Sequence, residues 1–236
     1  MTTLENIKKT TIFGTPITPR RHLDELHGEA FCLSYWNRSD LNIDKYVEIA
    51  GELLLDNGAF SAWQKGVEMD DGYWDGYYAW ANKILARHPH AWAIIPDTIT
   101  GTVEENDRLR RESWLPSDRE IAVWHMHEPL GYLEHLVSGY HRIAVGSSGE
   151  FAKVGTAAWH ARIDEAFGAV RRGHESQGDT RQARSLHILR AQSMHHRYDF
   201  DSSDSTNLAA NHCRYKAEGA GHVRRFADRI KLKVAA

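Results

Sequence analysis

Cysteine is scarce in this chain: Cys32 and Cys213 are the two thiols in 236 residues, and they form no CxxC pair. Two thiols build neither a disulfide framework nor a four-cysteine zinc site, and they suit a reducing compartment. Long apolar runs are missing as well. No stretch approaches the roughly 20 apolar residues that span a bilayer, and the opening MTTLENIKKTT lacks the apolar core of a signal peptide. A cytoplasmic protein without a membrane partner is expected. Nor is there an excess of one charge. A formal net charge of −3 exerts no global pull on polyanions, so any nucleic acid must be held by local basic patches. Candidates are Arg108, Arg110 and Arg111, then Arg171 and Arg172, with Arg184 and Arg197 nearer the end and a basic tail at Arg224, Arg225, Arg229, Lys231 and Lys233. Each cluster also has the plain reading of a solvated helix face.

What is present is an ordinary globular balance, 42% hydrophobic and 26% charged, in a length that suits one (β/α)8 barrel over residues 1–236. Eight short apolar runs read as strands: Thr11–Gly14, Ala30–Tyr35, Leu53–Asp56, Ala91–Asp97, Ile121–His125, Arg142–Gly146, Leu186–Arg190 and Tyr198–Asp201. Helical spacing of apolar residues marks Asp44–Ala50, Tyr73–Arg87, Thr102–Ser113, Leu130–Val137, Thr156–Arg172, Ser205–Glu218 and His222–Lys231. Alternating strands and helices imply a parallel sheet, and eight strands in this length favour a closed TIM-type barrel of one domain. The polar stretch Gly173–Arg184 reads as a loop able to fold over a substrate.

Polar residues fall where the apolar runs stop. Asp56, Asp97, His125, Gly146 and Asp201 each close a run, and in a barrel such positions open on one common face. Asp56 leads into Asn57-Gly58-Ala59-Phe60, a turn that admits close backbone approach and that an Asx-turn would also explain. Asp97 follows Ile94-Ile95-Pro96, with helix capping near Thr102 as its plain alternative. Gly146 and Ser147 offer backbone N–H groups to a ligand or form an ordinary loop. The run from Tyr198 to Asn207 holds Asp199, Asp201 and Asp204, and Asp204 or Ser205 also suits a helix cap. His125 and His127 share the spacing of a strand metal pair, yet no further strand-end histidine or carboxylated-lysine candidate joins them. A polar pocket wall is the better reading of His125. The aromatic cluster Trp63, Tyr73, Trp74, Tyr77, Tyr78 and Trp80 serves either as base-stacking platforms or, more simply, as a helix packed on the barrel.

In order and spacing, these motifs resemble the tRNA-guanine transglycosylase superfamily. Asp56-Asn57-Gly58-Ala59-Phe60 is similar to its Asp-Ser-Gly-Gly-Phe turn, which carries the general acid/base. Ile95-Pro96-Asp97 sits where the family's base-reading aspartate ends a strand, Val145-Gly146-Ser147 resembles its glycine-rich base-binding turn, and Phe200-Asp201-Ser202 resembles the segment bearing the nucleophile. Two departures stand out. The Cys-x-Cys-x-x-Cys zinc site of the tRNA-acting members has no counterpart, and Val123-Trp124-His125 replaces a Val-Gln-Gly strand end. Short length and the missing zinc subdomain resemble the phage branch, which exchanges guanine in DNA for a 7-deazaguanine such as preQ0.

The resemblance implies Asp201 as nucleophile, with Asp204 as the alternative, and Asp56 as general acid/base. It implies base contacts from Asp97, Gly146 and Ser147; His125, Asn57 and Gly58 at the same strand ends are expected to join them, and phosphate contacts are expected from the basic patches, at Arg108, Arg111, Arg171, Arg172, Arg184 and Arg197. Expected partners are DNA, or tRNA as the alternative, and a free 7-deazaguanine base; no cofactor and no metal are expected. Two rival readings belong to other classes: a metal-dependent barrel hydrolase using His125, His127 and a carboxylate, and a non-catalytic nucleic-acid-binding subunit.

Overall fold

The computed structural model describes residues 9–175 and 185–235. Its strands are β1 Thr10–Gly14, β2 Ala30–Ser34, β3 Glu52–Asp56, β4 Ala91–Ile94, β5 Glu120–His125, β6 Arg142–Gly146, β7 Ser185–Ile188 and β8 Ser202–Ser205. Each pairs in parallel with the next, and β8 closes on β1 with Thr10 opposite Ser202, so the chain is a closed TIM-type barrel. The helices are α1 Ile43–Ile49, α2 Ala59–Gln64, α3 Asp71–Leu85, α4 Val103–Arg111, α5 Leu130–Gly139, α6 Ala157–Glu175, α7 Asn207–Asn211 and α8 His222–Ala235. Between β1 and β2 the connection carries only the 3-10 turn Arg20–Glu25, and between β7 and β8 only Gln192–Arg197. None of the described helices is long and apolar enough to cross a membrane. Of the stretch read as a polar loop, residues 173–175 finish α6 and 176–184 lie outside the described residues.

Period-two alternation sorts the strand residues into two cores. Ile12, Ala30, Leu54, Ile94, Ile121, Val123 and Ala144 fill the barrel interior with Cys32, Trp92 and Leu189 against them. Phe13, Phe31, Leu33, Leu53, Leu55, Trp124, Ile143 and Val145 face outward into the helical layer. Each fully buried aliphatic or phenyl side chain contributes about 1.5–3 kcal/mol, which holds the strand register firmly because a one-residue slip would exchange the two faces. Carried to the strands' C-terminal ends, the same alternation turns Asp56, His125, Gly146 and Asp204 inward.

The last strand corrects the expected one. Tyr198–Asp201 is not β8; the strand is Ser202–Ser205, four polar residues whose side chains are satisfied by neighbours rather than by apolar packing. Ser202 Oγ donates to His187 Nδ1 inside the barrel (2.9 Å), and on the outside Ser203 Oγ donates to His195 Nδ1 (2.7 Å). The His195 Nε2–H donates to Phe200 O at 2.6 Å, and burial pushes this imidazole down to about 4, keeping it neutral. The apolar signal of Tyr198 and Phe200 belongs to the preceding connection, where both rings pack on Phe167 of α6.

Candidate active site

At the C-terminal mouth of the barrel a cavity of about 150 Å³ is lined by Asp56, Asp97, His125, Gly146, Ser147 and Asp204, together with Cys32, Asn57, Phe60 and Arg190. A cavity of this order accepts a flat aromatic ring.

Asp97 is fixed from two sides. Asn57 Nδ2 donates to its Oδ1 at 2.6 Å and to Ile95 O at 2.8 Å, while His125 Nε2–H donates to its Oδ2 at 2.8 Å. Each carboxylate oxygen has two lone pairs, so both can still accept from a ligand. Burial works against the charged imidazole, but the Asp97 carboxylate outweighs it and holds the His125 pKa above its ordinary value. Behind this pair sits a buried support that the sequence did not disclose. Glu128 Oε2 accepts from His125 N (2.8 Å), its Oε1 accepts from Asn106 Nδ2 (2.9 Å), and Asn106 Oδ1 accepts from Thr98 N (2.8 Å).

Gly58, with φ +82°, makes the turn after β3; a Cβ there would lie 2.9 Å from Trp36 N, so glycine is required by both conformation and space. The neighbouring Asn57 Oδ1 accepts from Ala59 N at 2.9 Å and starts α2, which carries Phe60 to the cavity wall.

Asp204 accepts from Arg190 N at 2.8 Å and from His187 Nε2–H at 3.2 Å. Burial alone would raise its pKa, but these bonds and the Arg190 charge reverse the balance and hold it below the ordinary carboxylate value. Asp56 is displaced the other way: burial pushes it up, the Arg190 charge opposes, and nearby Asp204 pushes it further up. The mouth therefore holds one carboxyl biased to the ionised form and one biased to the protonated form. Burial and the same two aspartates push the Cys32 thiol well up, which keeps it from acting as a thiolate.

Arg190 is the residue sequence reasoning missed. Its backbone is left-handed at φ 58°, uncommon for a bulky side chain and tolerated where surroundings enforce it, here by the N–H bond to Asp204. Its guanidinium lies over the Phe60 ring at 3.5 Å. Only its position just after an apolar strand hinted at the mouth.

Asp201 lies elsewhere. It precedes β8, at the end of the barrel opposite the cavity, and its Oδ2 accepts from Leu186 N (2.7 Å) at the start of β7. Burial raises its pKa as well, and the residues that bond to it or oppose this shift, Leu186, Ser185 and Arg142, do not line the cavity. The structure thus brings together Asp56, Asn57, Asp97, His125, Gly146, Ser147 and Asp204, and leaves Asp201 out.

No protein-family model and no curated protein matches the chain. Solved structures do. Tryptophan synthase from M. tuberculosis in space group F222 aligns at TM-score 0.54 and 12% identity, covering 98% of this chain and 94% of that one. Its aminoacrylate-bound form aligns at TM-score 0.52 and 12% identity, covering 97% and 94%. The likeness is to the fold alone.

Most of the residues expected to contact phosphate lie away from the cavity. Helices return antiparallel to the strands, so the last turns of α4 and α6, with Arg108, Arg111, Arg171 and Arg172, lie toward the end of the barrel away from the mouth. Arg108 pairs with Glu112 (3.0 Å), Arg111 with Asp107 (2.6 Å) and Arg172 with Glu134 (2.7 Å). Arg197 is exposed on the Gln192–Arg197 turn, and Arg184 falls outside the described residues. A groove beside the cavity shares Arg190 with it and carries His196, Arg229 and Lys233.

The aromatic cluster after Asp56 is packing. Tyr77 Oη donates to Ile94 O (2.5 Å), Tyr73 Oη donates to Asn57 O (3.0 Å), and Tyr35 contacts Tyr73, Tyr77 and Trp80 edge-on or tilted. Trp63 is exposed, with its ring against Phe60. His125 and His127 stack at 5.9 Å, but each is engaged separately, His125 with Asp97 and His127 Nδ1 with Ser148 Oγ at 2.8 Å. Among the described residues they belong to no group of three converging metal donors.

Proposed function

We propose that this chain is an enzyme that exchanges guanine in DNA for a 7-deazaguanine such as preQ0, with Asp204 as the nucleophile in place of Asp201. The observation that carries the reading is the pair of mouth carboxyls displaced in opposite directions, Asp204 down and Asp56 up, next to a third carboxylate held by Asn57 and His125. Opposed displacement is how two carboxyls take separate acid and nucleophile roles.

Asp204 attacks C1′ of the target nucleotide as the N9–C1′ bond breaks, and Asp56 delivers its proton to the departing guanine. The sugar stays bound as an ester of Asp204, which prevents loss of the strand's base to water. Asp56, now ionised, takes the N9 proton of the incoming 7-deazaguanine, whose nitrogen attacks C1′ and releases Asp204. Proton and leaving group balance across the two half-reactions.

Guanine offers N1–H and a 2-amino group as adjacent donors, and the Asp97 carboxylate accepts both, which adenine cannot satisfy. The Ser147 hydroxyl, whose oxygen already accepts from Trp159 Nε1 at 2.9 Å, supplies a donor for the opposite edge, and His125, its pKa held above the ordinary value by Asp97, supplies a second when it is protonated. The phosphate path is reassigned to the end of the groove where Arg190 joins it to the cavity, since a flipped nucleotide must trail its backbone past the mouth.

The test is incubation with guanine-labelled duplex DNA and, separately, tRNA, with and without preQ0. Base-dependent release from DNA is expected. Release from tRNA alone would keep the chemistry and change the substrate, and release from neither sinks the exchange reading. In the same assay Asp97→Asn lowers kcat/KM by about 10- to 150-fold, from 1.5–3 kcal/mol for a hydrogen bond to a charged group. An unchanged rate would remove Asp97 from base recognition.

A further inference from the structure

Outside the barrel, where its first and last strand–helix units meet, three histidines converge. His22 stands on the 3-10 turn Arg20–Glu25, His212 opens the 3-10 segment His212–Glu218 after α7, and His222 begins α8. All three are buried, and one ring nitrogen from each lies within 4.8 Å of the others. The ring centroids of His22 and His212, and of His22 and His222, are 5.1 Å apart.

Packing alone does not account for the cluster. His22 Nε2 and His222 Nε2 are buried without a hydrogen-bond partner, a costly state for a polar nitrogen. The other nitrogen of His22 is already committed, because Nδ1 faces Glu25 Oε1 at 3.4 Å. A carboxylate on Nδ1 fixes the tautomer that presents Nε2 as a lone pair, the arrangement that commonly orients a metal-binding imidazole. Glu25 is itself anchored, its Oε2 accepting from Val223 N (3.1 Å) and Arg224 N (3.2 Å) at the first turn of α8.

We propose that His22, His212 and His222 bind a zinc-type divalent ion that ties the Arg20–Glu25 turn to the start of α8. Three neutral imidazoles suit such an ion, with nitrogens about 2.0–2.1 Å from the metal and a fourth position for water, and rotation of the rings draws the donors together. The donor set is all-histidine and comes from both ends of the chain, unlike the cysteine-rich site that the sequence lacks. The clamp falls where the barrel closes β8 on β1 and where a short 3-10 turn replaces a full covering helix. It stands apart from the cavity residues and does not depend on the exchange reading.

The experiment uses tag-free full-length protein, stripped with chelator and then titrated with zinc and with cobalt(II). Expected are one zinc per chain by elemental analysis, the intense visible bands of four-coordinate cobalt, and a rise in Tm on zinc addition. His22→Gln and His222→Gln lose the stoichiometric ion and the Tm rise, while His174→Gln on the exposed side of α6 keeps both. Wild-type protein that takes up no stoichiometric ion, or uptake that survives both His22→Gln and His222→Gln, would overturn the site. The wild-type titration decides the matter even where a variant fails to fold.

Discussion

Asp204→Asn is expected to lower base exchange by at least about a thousandfold and to abolish any trapped protein–DNA ester, while Asp201→Asn continues to exchange. The amide keeps the shape of the carboxylate and can still accept from Arg190 N, so a loss of rate reports lost nucleophilicity rather than a collapsed mouth. Asp201 stands at the other end of the barrel, bonded to Leu186 N, and its substitution is felt as a change in stability. Single-turnover label release and a denaturing gel for the adduct, with melting curves for both variants, separate the two outcomes. Full activity in Asp204→Asn with loss in Asp201→Asn would return the nucleophile to Asp201 and require a different mouth.

The pH profile of kcat/KM for guanine release is expected to be bell-shaped, and Asp56→Asn is expected to erase one side of it. In the proposed exchange, release needs Asp204 ionised and Asp56 protonated. Because the Asp204 pKa is held below the usual carboxylate value, the acid limb lies below that range; because the Asp56 pKa is raised, the alkaline limb lies above it. Rate rises as Asp204 loses its proton and falls as Asp56 loses its own. Asp56→Asn lowers release by about 10²–10⁴-fold and leaves only the acid limb. An alkaline limb that persists in Asp56→Asn would assign the acid to another group.

Most of the site was legible because barrel strands announce their ends. Leu53-Leu54-Leu55 running into Asp56, and Val123-Trp124 into His125, are apolar runs cut by a polar residue, and both polar residues line the cavity. Asp204 was harder to see. Its strand is Ser-Ser-Asp-Ser, with no apolar alternation, since histidines from β7 and the Gln192–Arg197 turn satisfy the serines. The apolar pull of Tyr198 and Phe200 drew the expected strand four residues early, and Asp201 moved with it. Glu128 and Asn106 gave no signal, because their role is to hold His125 and the turn after Asp97 from behind, through bonds spanning three to 22 positions.

By itself, the sequence determined the barrel and its alternation: eight short apolar segments separated by helical ones leave few ways to bury both faces of a parallel sheet, and side chains on a strand must alternate. Tertiary structure decided what local pattern does not encode. It set which end of the barrel each charged residue occupies, moving Arg108, Arg111, Arg171 and Arg172 away from the mouth because helices run back along the strands. It brought Arg190 to Asp204 and Phe60, and it gathered His22, His212 and His222 from the two ends of the chain, because closing β8 on β1 makes neighbours of residues that are about 200 positions apart.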